Sequence, residues 1–170
     1  TLDLSHNNLN GNLPSWIRNL ASLVNLSASH NQFSGPLHDF ATLERMSFLG
    51  LSNNQLTGSL PSTLLASVSG DQNVVVDLSS NKLSGTIPRE LSRLSMLSLQ
   101  VEDNQISDID SELCEAESWN DNDVKEFGCA GILCPSGTWN SLGRQSSEDI
   151  PCAPCRKAKY LGAKHCGTSA

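Results

Sequence analysis

Apolar residues recur along the chain as L-x-L couplets, each followed at a fixed distance by an asparagine and then one more apolar residue. The motif returns five times: LDLSHNNLNG from Leu2, LSASHNQFSG from Leu26, LGLSNNQLTG from Leu49, VDLSSNKLSG from Val76 and LQVEDNQISD from Leu99. Alternation with period two turns one side of each couplet inward and the other outward, the pattern of a short, half-buried strand. The shared asparagines, Asn7, Asn31, Asn54, Asn81 and Asn104, lie 24, 23, 27 and 23 residues apart. A unit of that length cannot bury its own apolar side, so the period predicts a stack in which neighbouring copies share one core.

The polar positions carry the rest of the pattern. Each asparagine turns the chain after its strand, and the amides are expected to form a ladder that pairs buried backbone groups. The next apolar residue (Leu9, Phe33, Leu56, Leu83, Ile106) is expected to point back inward. A glycine then bends the backbone at Gly11, Gly35, Gly58 and Gly85. Apolar-proline pairs follow at Leu13-Pro14, Leu60-Pro61 and Ile87-Pro88, and Leu20 with Leu23, Leu43 with Met46 and Leu94 with Leu97 complete the outer arc. The long interval holds a polar insertion, Ser67 to Gln72, expected on a loop.

These segments resemble the plant-type leucine-rich repeat, L-x-x-L-x-L-x-x-N-x-L-x-G-x-I-P, over about residues 1–113. The resemblance implies an α/β solenoid: a right-handed superhelix with a parallel β-sheet on its concave side. It also implies 3₁₀ or short helical turns on the convex side, and small extra strands near the L-x-G-x-I-P stretches. Two copies depart from the pattern. The second has Leu37-His38 in place of apolar-proline, and the fifth has Asp108 at the glycine position and no proline, as expected of a degenerate last coil. The chain opens at Thr1-Leu2-Asp3-Leu4, already inside a strand pattern and without a signal peptide, so the natural protein is expected to extend upstream.

Composition divides the chain in two. The net charge is −7, and residues 1–113 hold 11 acidic and 5 basic side chains. Such a surface does not bind nucleic acid through its phosphates. No apolar run is long enough to span a membrane. None of the six cysteines precedes Cys114; Cys114, Cys129, Cys134, Cys152, Cys155 and Cys166 crowd residues 114–170, which predicts a separate disulfide framework formed in an oxidising, extracellular compartment. Cys134-Pro-Ser-Gly-Thr-Trp139, Gly143-Arg144-Gln145, Cys152-Ala-Pro-Cys155 and Tyr160-Leu-Gly162 resemble the small modules of ephrin-receptor-like and tumour-necrosis-receptor-like ectodomains. The combination with plant-type repeats is similar to secreted or surface leucine-rich-repeat proteins of diatoms and related algae. Such a module is expected to cap the apolar, unpaired edge of the last coil. Several pairings are open; the sequential one (Cys114–Cys129, Cys134–Cys152, Cys155–Cys166) is favoured.

Candidate chemistry adds little. Cys152-x-x-Cys155 with Cys129, Cys134 and the His165-Cys166 pair has spacings that zinc sites use, but segregation of the cysteines favours oxidation. A redox role would need a βαβ unit, and haem attachment a histidine where Arg156 stands. Asp121-Asn-Asp123 opens like a calcium loop, yet Glu126 occupies the glycine position. Glu115 to Glu126, with Trp119, is expected to form a short helix. Asp3, Ser5 and His6 share one strand and its turn, where no oxyanion hole is assembled. His6 and His30 occupy equivalent positions and should stack roughly 5 Å apart. Trp16 is expected to pack on the convex side and Trp139 inside the cap. Asn25-Leu26-Ser27 is an N-glycosylation sequon on the strand rim, expected to be accessible. No enzyme activity, cofactor or metal is expected.

What remains is a surface. Stacking puts Asp3, Ser27, Gly50, Asp77 and Gln100 in one outward row, Ser5, Ser29, Ser52, Ser79 and Glu102 in a second, and His6, His30, Asn53, Ser80 and Asp103 in a third. Phe48 and Val75 flank the rows as isolated apolar residues. The face is small, polar and faintly acidic, and lacks the Tyr, Trp and Arg that dominate protein hot spots. It is expected to bind a protein, peptide or glycan ligand in a receptor-like or inhibitor-like ectodomain. A structural or adhesive wall component with no discrete ligand is the alternative.

Overall fold

The computed structural model describes residues 1–167. Each coil contributes two short strands: β1 (Leu2–Asp3) and β2 (Asn10–Asn12), then β3 (Asn25–Ser27) and β4 (Gln32–Pro36), β5 (Phe48–Gly50) and β6 (Gln55–Gly58), β7 (Val74–Asp77) and β8 (Lys82–Ile87), and β9 (Leu97–Gln100) and β10 (Gln105–Ile109). The L-x-L strands form one parallel sheet in the order β1-β3-β5-β7-β9, and the strands after each asparagine form a second, β10-β8-β6-β4-β2. Leu2, Leu26, Leu49, Val76 and Leu99 are in register across the first sheet, so one apolar side chain per coil stacks on its equivalent. Leu26, Leu49 and Leu99 have no accessible surface.

The outer arcs are 3₁₀ turns. Pro14 and Pro88 precede the 3₁₀ helices Ser15–Asn19 and Arg89–Arg93. Proline suits that place because its fixed φ matches and its missing N–H would find no partner there. In the fifth coil Asp110 replaces proline and caps the helix Ser111–Glu115, its carboxylate accepting from the Glu112 N–H at 3.2 Å. Each helix turns one residue inward: Ile17, Leu91 and Leu113. Trp16 holds the position of Glu90 and Glu112 and so points outward, 52% exposed; the expectation that it packs is overturned by that phase. Leu9 and Leu20, expected inside, are 40% and 37% exposed because they lie on the open side of the first coil. The insertion forms a turn, as expected, tied down by Gln72 Nε2 donating to the Met46 carbonyl at 2.7 Å and by Ser95 N–H donating to the Gly70 carbonyl at 2.8 Å.

The asparagine ladder is complete over the buried coils. Asn81 Nδ2 donates to the carbonyls of Leu51, Leu78 and Ser79 at 3.0, 3.0 and 3.2 Å, and its Oδ1 accepts from the Leu56 N–H at 3.0 Å. Asn31, Asn54 and Asn104 repeat the arrangement. Asn81→Ala leaves a buried N–H and several carbonyls without partners, so it is expected to cost about 2 kcal/mol, read as a lower urea midpoint. The residue before each ladder asparagine adopts the left-handed conformation: φ is 54° at His6, 56° at His30, 54° at Asn53, 54° at Ser80 and 56° at Asp103. That conformation favours Asn, Asp and His among residues with a Cβ, which accounts for the types in the third row apart from Ser80. The glycine four residues after the ladder asparagine, such as Gly58 with φ 81°, also needs this region.

Beyond Leu113 the apolar core continues without a break through Trp119, Val124, Ile132 and Leu133. The expected single helix is instead a 3₁₀ turn, Trp119–Asn122, running into α1 (Asp123–Phe127). Trp119 is fully buried over the end of the stack and donates Nε1–H to the Leu94 carbonyl at 2.7 Å. Asn120, Asp121 and Asn122 all have positive φ, a sharp left-handed run that Asn and Asp tolerate best. It delivers the Asn120 carboxamide to the open edge of β9, where Oδ1 accepts from Leu99 N–H at 2.7 Å and Nδ2 donates to Gly131 O at 2.9 Å. The bonds Asp103 N–H to Gly162 O (3.0 Å) and Leu161 N–H to Ile106 O (3.0 Å) tie the cap to the turn after β9 and to the edge of β10. The cysteines pair in sequential order, Cys114–Cys129, Cys134–Cys152 and Cys155–Cys166. A two-stranded hairpin of β11 (Thr138–Trp139) and β12 (Ala153–Pro154) completes the cap. Trp139 is half-buried there and bridges to Ala163.

Candidate functional site

The first sheet brings the three outward rows together, but their accessibility changes along the stack. Asp3, His6, His30, Asn53 and Asp103 are exposed, Ser5, Ser27, Ser29, Asp77, Ser80 and Gln100 are half-buried, and Ser52 is buried. Gly50 is buried because the Phe48 ring lies over it; a Cβ there would come within 2.8 Å of the ring. The His6 and His30 rings stack with centroids 4.3 Å apart and planes 13° from parallel. Stacked rings of this kind present edges and faces to a partner, and no group of three or more His, Cys, Asp or Glu among the described residues could hold a metal ion.

Asp3, Ser5 and His6 do not form a catalytic relay. The Ser5 hydroxyl donates to Asp3 Oδ1, and the Ser5 N–H does so at 2.9 Å. These bonds hold the Asp3 carboxyl below the usual carboxylate range. The Ser5 hydroxyl is thus directed at Asp3, and no hydrogen bond joins Ser5 to the His6 ring among the described residues. The same closed turn recurs at Asp77, which accepts from Ser79 N–H at 3.0 Å and Ser79 Oγ at 2.7 Å. Ser27 Oγ donates to Ser5 Oγ at 3.2 Å and Ser52 Oγ to Ser29 Oγ at 3.1 Å, so the serine row is partly a hydrogen-bonded ladder.

Two expected contact residues are not on the surface. Ser79 is 7% exposed, its hydroxyl turned onto Asp77, and Glu102 is 3% exposed. The reason at Glu102 is the cap, which folds over the last coil. Gly143 and Gly162 pass so close that a Cβ on Gly143 would sit 2.6 Å from Glu102 Cβ, and one on Gly162 would sit 2.4 Å from Leu133 Cδ2. Over Glu102 the cap places Arg144, whose Nε lies 3.4 Å from Glu102 Oε1 and whose Nη1 pairs with Asp123 Oδ2. Burial outweighs the attraction of Lys164 and Arg144 and pushes the Glu102 carboxyl up to about 7. Burial likewise raises Asp123. Sequence reasoning missed this triad, since only the cap's path joins residues 102, 123 and 144.

Asn25, the sequon asparagine, is half-buried rather than open. Its Oδ1 accepts from Ser47 Oγ at 3.1 Å and its Nδ2 donates to Thr1 Oγ1 at 3.4 Å.

Comparison with known proteins points one way. The Leucine Rich Repeat family model matches residues 1–20, 45–66 and 74–94. Receptor-like protein 18 of Arabidopsis thaliana is 36% identical over 129 residues, which covers 63% of this chain and 16% of that protein. Receptor-like protein 35 of Arabidopsis thaliana is 41% identical over 115 residues, 62% of this chain and 12% of that protein. The chain thus spans less than a fifth of the length of these relatives. Among solved structures, the ectodomain of the Arabidopsis receptor kinase HAESA in complex with an extended IDA peptide hormone ligand superposes with a TM-score of 0.64 at 28% identity, over 82% of this chain and 22% of that one. The plant peptide hormone receptor RGFR1 in complex with RGF2 gives a TM-score of 0.60 at 33% identity, over 66% of this chain and 18% of that one. With five coils in register, an asparagine ladder and these relatives, the chain folds as a leucine-rich-repeat solenoid similar to those of plant receptor-like proteins, its last coil closed by a disulfide-bonded segment.

Proposed function

We propose that the chain is an extracellular recognition module that binds a peptide, protein or glycan ligand on the open part of its concave sheet. The observation that carries this reading is the set of outward side chains that stay exposed on the sheet. Asp3, His6, His30, Asn53 and Asp103 are exposed on a backbone locked by the ladder, while Ser52, Ser79 and Glu102 are buried. A rigid, pre-ordered face loses little freedom on binding, which favours affinity for an extended ligand. HAESA and RGFR1, which share this fold, have been solved with peptide hormones. Three disulfides fit an oxidising compartment. Residues 114–170 act in this reading as the closing module of the repeats in residues 1–113, of the ephrin-receptor-like or tumour-necrosis-receptor-like kind.

Asp3, Ser5, His6, Ser27, Ser29, His30, Asp77 and Gln100 are the contact residues in this reading. The test is a binding screen of the chain against secreted peptides and glycans, followed by the double variant His6→Ala/His30→Ala. The variant is expected to bind a hit at least about tenfold more weakly with an unchanged melting temperature. Equal binding by the variant would remove the concave face from the account.

A further inference from the structure

We propose that the cleft between the last coil and the loop closed by Cys155–Cys166 is a binding site for an acidic sugar residue, a uronate unit of an extracellular polysaccharide. The cavity measures about 250 Å³ and is lined by Asp103, Lys157, Lys159, Tyr160, Lys164 and His165 among others. The chain as a whole is acidic, with a net charge of −7, yet between Ile150 and Ala170 it carries Arg156, Lys157, Lys159 and Lys164 and no carboxylate side chain. Among the described residues none of the three lysines takes part in an ion pair within 4.0 Å. Lys164 also acts on Glu102 from beyond ion-pair distance, but cations that line a concavity with no carboxylate in direct contact make a local positive field in an otherwise negative molecule, and an anion is what such a field draws in.

The loop is built rather than loose. Besides the disulfide, Gly137 N–H donates to Ala158 O (2.8 Å), Leu161 N–H to Ile106 O (3.0 Å), Gly162 N–H to Cys134 O (2.8 Å), and Asp103 N–H to Gly162 O (3.0 Å). The lysine-bearing backbone is therefore held before any ligand arrives, which lowers the entropy cost of binding.

The mixed lining decides the class of ligand. The lysines suit a carboxylate, whereas Asp103, whose Oδ2 already accepts from Ser80 Oγ at 3.1 Å, repels a second carboxylate and accepts from hydroxyls. Tyr160, 43% exposed at the rim, offers an aromatic face for a sugar ring to lie on. A uronate unit carries a carboxylate and hydroxyls on one small ring; an acidic side chain of a peptide carries the carboxylate alone. The volume falls below that of pockets for drug-sized ligands and suits a unit of this size.

The test is titration calorimetry of the full chain with trigalacturonate at low salt. Neutral galactotriose and an end-blocked triglutamate, which carries the same charge as trigalacturonate, are run in parallel. Trigalacturonate is expected to bind and the other two to bind at least about tenfold more weakly. The variant Lys157→Gln/Lys159→Gln/Lys164→Gln is expected to weaken binding about tenfold or more, and Tyr160→Ala several-fold, without change in the melting temperature. The variant Arg18→Gln/Arg45→Gln/Lys82→Gln, which removes as much charge elsewhere, is expected to bind like the parent. No binding of trigalacturonate, binding of triglutamate with equal affinity, or equal loss in both triple variants would overturn the proposal. The variants leave the concave face intact, so these outcomes do not bear on the peptide-binding reading.

Discussion

Trp119→Ala is expected to destabilise the protein by about 4 kcal/mol, the upper range for a large side chain removed from a packed core. Trp119 has no accessible surface and closes the apolar end of the stack. Its indole N–H satisfies the Leu94 carbonyl at 2.7 Å, so alanine leaves a cavity, an unpaired buried carbonyl and a loosened Asn120 at once. Because each coil of a solenoid is supported only by its neighbours, the damage is local. Hydrogen exchange is expected to lose protection in β9 and the cap while the β3 and β5 amides keep theirs. Trp119→Phe separates the contributions: it fills most of the volume and loses only the hydrogen bond, for about 1–2 kcal/mol. Uniform loss of protection across all five coils would show that the cap does not act as a local seal.

The second large effect is on pH dependence. Burial under the cap raises the Glu102 carboxyl to about 7 from an ordinary 4.5. A folded-state value above the unfolded one means that the native protein takes up a proton which the unfolded chain releases. The resulting stabilisation is complete below pH 4.5 and is lost as pH rises through about 7. Between pH 8 and pH 5 the gain is about 2–3 kcal/mol by linkage, seen as a higher melting temperature in acid. Asp123, also raised by burial, acts in the same direction. Glu102→Gln keeps the shape without the charge and is expected to flatten the profile and raise the melting temperature at pH 8. Arg144→Met removes the one guanidinium between Glu102 and Asp123, so its cost is expected to be larger at pH 8 than at pH 5. A stability profile that is flat or falls between pH 8 and pH 5 in the parent protein would refute the protonation of Glu102 on burial.

The repeat itself was fully legible. Leu26, Leu49, Val76 and Leu99 stack as the couplets require, and Asn31, Asn54, Asn81 and Asn104 bond as their spacing implied. The His6 and His30 stack followed from the same arithmetic. Failures occurred where the period ends. Leu9 and Leu20 have the right residue type but no coil on their open side, and Trp16 was misread because a 3₁₀ turn of three residues sends only one of them inward. Ser79 and Glu102 were placed on the surface by the repeat rule; Ser79 turns its hydroxyl onto Asp77, and the cap covers Glu102. The left-handed run at Asn120-Asp121-Asn122 left a trace in its residue types, since Asn and Asp are the side chains that tolerate it.

Sequence alone determined what repeats: strand phase, ladder, core positions and the order of the coils. Each of these depends on contacts between equivalent residues a fixed distance apart, so a local pattern contains them. Tertiary structure alone decided what happens where copies stop: which outward residues the cap covers, that Arg144 lies between Glu102 and Asp123, and that Lys157, Lys159 and Lys164 share a cleft with Asp103. Those neighbours are set by the path of a non-repeating, cross-linked segment. No period in the sequence encodes the distance between two residues that meet only because a loop happens to pass over a strand.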